Sequence, residues 1–195
     1  MPQVLFIINI RHTLKRPPGF RKRVQLLIIG LDNAGKSTLL DRIQSGRMIQ
    51  HPPTNLPRSK EMELGNMRFL AYDLGGHPQA RRVWRDYFPA VDAIVFIVDA
   101  SDAERFAEAQ EELDGVLHDE TIAHVPVLVL GNKVDRPDSV GEDHMSLALG
   151  LGIYRTGKAK KSKDLLESRP VELFMCSCLK QFGYGDGFRW LGGVV

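Results

Sequence analysis

Three stretches of the chain are continuously apolar and rich in β-branched residues: "VQLLIIG" (24 to 30), "DAIVFIVDA" (92 to 100) and "VPVLVLGN" (125 to 132). Each has the length and composition of a strand buried on both faces. "VELFMCSC" (171 to 178) reads as a further strand of the same kind. Between the first and second runs the pattern changes period. "KSTLLDRIQSG" places apolar residues at 39, 40 and 43, which predicts a short helix stopped near Gly46. Residues 47 to 60 hold three prolines and little periodicity, and read as a loop. "EMELGNMRFLAYDLGG" predicts a hairpin turning at Gly65-Asn66 and ending at Gly75-Gly76. After Ala100, Ser101 and Glu104 have capping-box spacing for a helix reaching about Leu117. Strands alternating with helices predict an α/β fold with a largely parallel sheet covered on both sides.

One apolar run has no place in that scheme. Val4, Leu5, Phe6, Ile7 and Ile8 lie near the start, followed by Arg11, Lys15, Arg16, Arg21, Lys22 and Arg23 before the first acidic residue, Asp32. The run is far shorter than the roughly 20 apolar residues that cross a bilayer. It has no preceding basic residue and no small-residue cleavage site, so it is a poor signal peptide. Pro2 stands where myristoylation needs glycine. "PPG" (17 to 19) breaks any helix begun upstream, and divides the chain into an arm, 1 to 18, and one domain, 19 to 195.

Composition changes this picture little. The 195 residues are 43% hydrophobic and 26% charged, as in an ordinary globular domain. A net charge of +2 gives no footprint for nucleic acid. Cys176 and Cys178 have no companions at a metal-ligand spacing, and read as two reduced thiols of a cytosolic protein. "TGKAKKSK" (156 to 163) reads as a solvated loop.

The candidate chemistry sits at strand ends. "GLDNAGKS" (30 to 37) satisfies G-x-x-x-x-G-K-[ST] after a buried strand and before a helix. With glycine near 7% of residues, the bare pattern arises by chance in roughly one chain of this length in a hundred, and the strand–helix context is rarer still. The segment Asp32, Asn33, Ala34, Gly35, Lys36, Ser37 and Thr38 is therefore a phosphate cradle whose amides open a helix. Lys36 is placed for the β- and γ-phosphates and Ser37 for Mg²⁺. "DLGG" ends a second strand: Asp73 is placed to reach Mg²⁺ through water, and Gly76 to offer its N–H to a γ-phosphate. "NKVD" ends another. A carboxylate at Asp135 accepts the adjacent N1–H and 2-amino donors of guanine, which adenine does not present together. Lys133 lies along the base and Asn132 braces the loops. "CSC" (Cys176, Ser177, Cys178) follows the last strand, where a backbone amide can donate to guanine O6.

In this order the motifs resemble those of Ras-type small GTPases. "GLDNAGKS" and "DLGGH" look like the Arf branch, and "GGHPQARRVWRDYFPAVDAIVFIVDASDAERF" with "RPVELFMCS" closely resembles the Sar GTPases, from about residue 19 onward. The resemblance implies a six-stranded, mostly parallel sheet with five main helices. It implies GTP/GDP and Mg²⁺ as cofactors, with Thr54 joining Ser37 on the metal in the GTP state and His77 orienting the attacking water. It implies slow hydrolysis, accelerated by an arginine that a coat subunit supplies in trans. Partners implied are the inner subunits of the COPII coat, a membrane-bound exchange factor and the lipid surface of the endoplasmic reticulum. The place of action implied is that membrane's cytosolic face, with the Golgi as a further compartment. The bare N-terminal arm, hidden with GDP, would insert shallowly in the bilayer with GTP.

The chain departs from that family in "NLPRSKEMEL", where Arg58 and Lys60 replace a usual threonine and acidic residue. It departs again in "GYGDGFRWLGGVV", whose glycines predict a frayed last helix held by Phe188 and Trp190. Arg81, Arg82 and Arg85 read as a partner-facing surface. Two alternatives stay open: an Arf-like GTPase at another membrane, and a nucleotide-loaded scaffold that does not hydrolyse.

Overall fold

The computed structural model describes residues 22 to 45, 57 to 64, 67 to 159 and 168 to 195. The N-terminal arm, Gly46, Thr54, the Gly65-Asn66 turn and residues 160 to 163 of the basic loop lie outside them.

Six strands form one sheet: β1 (Lys22–Ile29), β2 (Arg58–Leu64), β3 (Met67–Asp73), β4 (Ala93–Asp99), β5 (Val127–Asn132) and β6 (Val171–Met175). Their spatial order is β2-β3-β1-β4-β5-β6. All neighbours are parallel except β2, which runs antiparallel to β3 with Arg58 opposite Asp73 and Leu64 opposite Met67. The expected hairpin is therefore present, but β2 starts at Arg58, inside the stretch read as loop. The prolines end at Pro57, and cross-strand pairing with β3 takes over at once.

Period-two alternation along the buried strands builds two cores. Leu27, Ile29, Phe96, Val127 and Val129 face one side, where they meet α3 (Trp84–Tyr87), α4 (Phe106–Leu117) and α5 (Glu142–Ala148) through Trp84, Phe106, Leu113 and Met145. Leu26, Ile28, Phe69, Leu128 and Leu130 face the other, against α1 (Lys36–Ser45) and α6 (Tyr184–Val194). A further one-turn helix, α2 (Pro78–Arg81), precedes α3.

Two local expectations change. Ser101 does not cap α4: its hydroxyl and amide both donate to Asp99 Oδ1, and a 3₁₀ turn at Ala103–Arg105 leads into the helix. The nearer carboxylate outcompetes the capping box, a local side-chain bond of the kind that favours turns. The C-terminal helix is continuous over its 11 residues, anchored on Phe188 and Trp190 as expected, with Leu191 and Val194 beside them. Gly187 has a packing reason. A Cβ there would sit 3.0 Å from Leu128 Cδ1, so its absence lets α6 lie close to β5.

Candidate functional site

The loops after β1, β3, β4, β5 and β6 meet at the carboxyl edge of the sheet, where open α/β folds bind ligands. The loop of Gly30 to Gly35 leaves β1 and turns into α1. Gly35 has φ +102°, and a Cβ on it would meet Asn132 Nδ2 at 2.4 Å, so glycine is required there. Three non-glycine residues have positive φ among the described residues: Asn33, Lys133 and Gln181. All three lie in loops at this edge, where strain is held by surrounding structure.

Asn132 joins three loops through its side-chain amide. Its Nδ2 donates to Ala34 O at 2.9 Å and its Oδ1 accepts from Cys178 N at 3.1 Å, so one buried amide joins the β1, β5 and β6 loops. Asp135 accepts a short bond from Ser177 Oγ, which ties the β5 and β6 loops a second time. The Cys176, Ser177 and Cys178 amides donate to Gly131 O, Phe182 O and Asn132 Oδ1. A guanine O6 contact from this segment therefore competes with bonds the protein already makes. Both thiols are free and buried, and the hydrogen bond to Cys178, then burial, pushes the Cys176 thiol up. Lys133 forms an ion pair with Asp99 at 2.6 Å. Asp99 was missed in the sequence, although it ends an apolar strand as Asp73 does.

The phosphate side of the site is more buried. Lys36 is 6% exposed, and its Nζ donates to Gly30 O at 3.0 Å and Leu31 O at 2.7 Å. Burial brings this ammonium down to about 8, against the attraction of Asp73 and Asp32. Ser37 Oγ donates to Asp73 Oδ2 at 2.7 Å. Asp73 is 2% exposed, and its other oxygen, Oδ1, is buried without a hydrogen-bond partner. Burial raises this carboxyl above the usual range despite the Ser37 bond. A hydroxyl beside a buried carboxylate oxygen that lacks a donor is a donor set suited to a hard divalent cation. The residues present thus fit Mg²⁺. Thr38 lies in the first turn of α1, inside the expected cradle.

Gly76 lies against the Leu31–Asp32 backbone, and a Cβ there would be 2.3 Å from Asp32 N. His77 follows as the N-cap of α2, with Nδ1 accepting from Ala80 N at 3.3 Å. The partner-facing reading of Arg81 is corrected. Its side chain is 8% exposed and turns inward to Glu108 and Glu112 of α4, while Arg82 and Arg85 are exposed. Helical spacing alone did not show that α4 supplies two carboxylates to this one arginine. Asp32 belongs to the same group through Arg105, at 2.9 Å. Burial opposes the Asp32 charge, but the Arg105 bond prevails and holds this carboxyl below the usual range.

A small-GTPase fold with a phosphate loop, a strand-end carboxylate and a base-side loop at one sheet edge defines the class. The chain belongs to the ADP-ribosylation factor family, whose model matches residues 10–195. It is 44% identical to the small COPII coat GTPase SAR1 of Nicotiana tabacum, over 90% of this chain and 91% of that protein. It is 41% identical to the protein of the same name from Giardia intestinalis, over 88% and 90%. Among solved structures, the Arl6 BBS3 small GTPase of Trypanosoma brucei with bound GppNp superposes at a TM-score of 0.73, with 27% identity, over 88% of this chain and 96% of that one. These findings agree with the Sar resemblance read from the central segment.

Proposed function

We propose that this protein is a GTP-binding and GTP-hydrolysing switch that, with GTP bound, inserts its N-terminal arm in the endoplasmic reticulum membrane and recruits the COPII coat. The observation that carries this reading is the meeting of the phosphate loop, the Ser37–Asp73 pair and the Asn132-braced base loops at one edge. The similarity to small COPII coat GTPases directs it to that coat.

In this reading the amides of Asp32 to Thr38 and the Lys36 ammonium hold the phosphates. Lys36 exchanges the carbonyls of Gly30 and Leu31 for an anion, which relieves its desolvation. Asp135 selects guanine, with Lys133 along the base and Asn132 setting the distance between base and phosphate loops. A backbone amide of the Cys176 to Cys178 segment donates to guanine O6. Ser37, Asp73 and Thr54 hold Mg²⁺, which supplies neutralisation of phosphate charge. Gly76 donates its N–H to the γ-phosphate, and His77 orients the attacking water. One orienting side chain leaves hydrolysis slow, and an arginine supplied in trans adds about 10³ to 10⁵ in rate. A membrane-bound exchange factor reloads the site. Arg82 and Arg85 remain on the surface for such partners.

Burying Val4 to Ile8 in lipid contributes several kcal/mol at roughly 25 cal/mol per Å². Each nearby basic residue adds about 1 kcal/mol against anionic lipid. That sum gives reversible anchoring on the cytosolic face. Flotation of the full chain on anionic liposomes is expected with a non-hydrolysable GTP analogue, and neither with GDP nor after removal of residues 1 to 16. Flotation indifferent to the nucleotide or to the arm would refute the anchor.

A further inference from the structure

Arg81 uses its whole guanidinium inside the protein. Nε donates to Gly76 O at 2.7 Å, Nη1 to Glu112 Oε1 at 2.9 Å and Nη2 to Glu108 Oε1 at 2.5 Å. Glu108 also accepts from Arg105 Nε at 2.8 Å, and Arg105 Nη2 donates to Asp32 Oδ1 at 2.9 Å. Asp32 Oδ1 lies 4.0 Å from Arg81 Nη2, which closes the ring of charges. One arginine therefore connects the turn after β3 with two glutamates a turn apart on one face of α4, and lies beside the phosphate loop at Asp32.

The Gly76 carbonyl belongs to the peptide that joins Gly76 to His77. Holding that oxygen sets the plane of this peptide, and so the direction in which the His77 side chain leaves the backbone. The Trp84 indole holds the preceding carbonyl, that of Gly75, at 3.0 Å. Two consecutive carbonyls of the turn are thus clamped by side chains from the helices that follow it.

We propose that Arg81 is a positioning residue for GTP hydrolysis: it sets the Gly76–His77 peptide, and through it His77, while Glu108, Glu112, Arg105 and Asp32 hold the guanidinium in place. This rests on the hydrolytic reading above. It assigns Arg81 no contact with nucleotide. A lysine cannot replace it, because a single ammonium does not reach three acceptors arranged as a planar fork.

The test is single-turnover GTP hydrolysis by the full chain at saturating nucleotide, beside GDP affinity and thermal unfolding. Arg81→Met is expected to lose about tenfold or more in hydrolysis, as small misplacements do, with GDP affinity unchanged. Arg81→Lys should recover little, and Glu112→Gln, which removes one contact and keeps the rest, should lose less in the same direction. The deciding comparison uses His77→Ala: in that background Arg81→Met should cost nothing further, since both act at one step. An additive loss, an unchanged rate in Arg81→Met, or a parallel fall in GDP affinity and unfolding temperature would overturn the proposal and leave a structural ion pair. Absence of hydrolysis in the unsubstituted chain would instead overturn the enzymatic reading itself.

Discussion

Lys36 is a cation kept among carbonyls, and its acid–base behaviour follows from that. Burial lowers its pKa to about 8, whereas an unfolded lysine titrates near 10.5. Below about 8 both folded and unfolded chains carry the proton, and the folded chain bears the full desolvation penalty. As pH rises from about 8 toward 10.5, only the unfolded chain still holds the proton, so folding gains stability across that window. Nucleotide binding runs the other way. A phosphate beside Lys36 restores its charge, so above about 8 binding must take up a proton and affinity falls with pH. Calorimetry in buffers of different ionisation enthalpy should show uptake approaching about one proton at alkaline pH and none in the neutral range. Lys36→Met should remove the dependence. At this scale the phosphate residues were legible, because a loop bound to backbone amides needs fixed residue types at fixed spacing. Asp99 and Arg105 were not, because each acts on a loop far from it in sequence.

At the scale of elements, α6 shows how a glycine's meaning depends on its neighbours. Gly193 has open space where a Cβ would stand, whereas at Gly187 the same atom would press on Leu128 and Leu130. Gly193→Ala is therefore expected to stabilise the protein by roughly 0.5–1 kcal/mol, through helix propensity. Gly187→Val should destabilise by roughly 1–3 kcal/mol, through overpacking. Urea unfolding followed by far-UV circular dichroism measures both, and equal effects at the two sites would refute the packing account. Composition alone weakened this helix evenly; the approach to β5 distinguishes its residues. The same lesson applies to the start of α4. The Ser101–Glu104 spacing was sound as local chemistry, but Asp99, brought to its place by β4, takes the serine hydroxyl first. Lys60 is also accounted for by an element contact. It pairs with the buried Asp41 of α1, tying the edge strand to the helix that follows the phosphate loop.

For the whole molecule, the site is assembled from the ends of separate strands, so ligand binding and global stability are linked. A ligand at a hundredfold excess over its dissociation constant adds about 2.7 kcal/mol to unfolding. Differential scanning calorimetry should show GDP with Mg²⁺ raising the unfolding temperature, and Asp135→Ala losing that rise while the nucleotide-free transition changes little. A rise equal with ADP would remove guanine selection by Asp135. The sequence by itself determined the strands, the sheet class and the three strand-end motifs, because buried β-runs and backbone anion sites depend on composition and spacing within a few residues. It also carried the family resemblance. Only the tertiary structure decided which polar groups share a partner: Asn132 with both Ala34 and Cys178, Arg81 with Gly76 and two glutamates, Lys60 with Asp41. Those pairings join residues up to 98 positions apart, and their directional geometry arises only once the sheet order sets which loops meet.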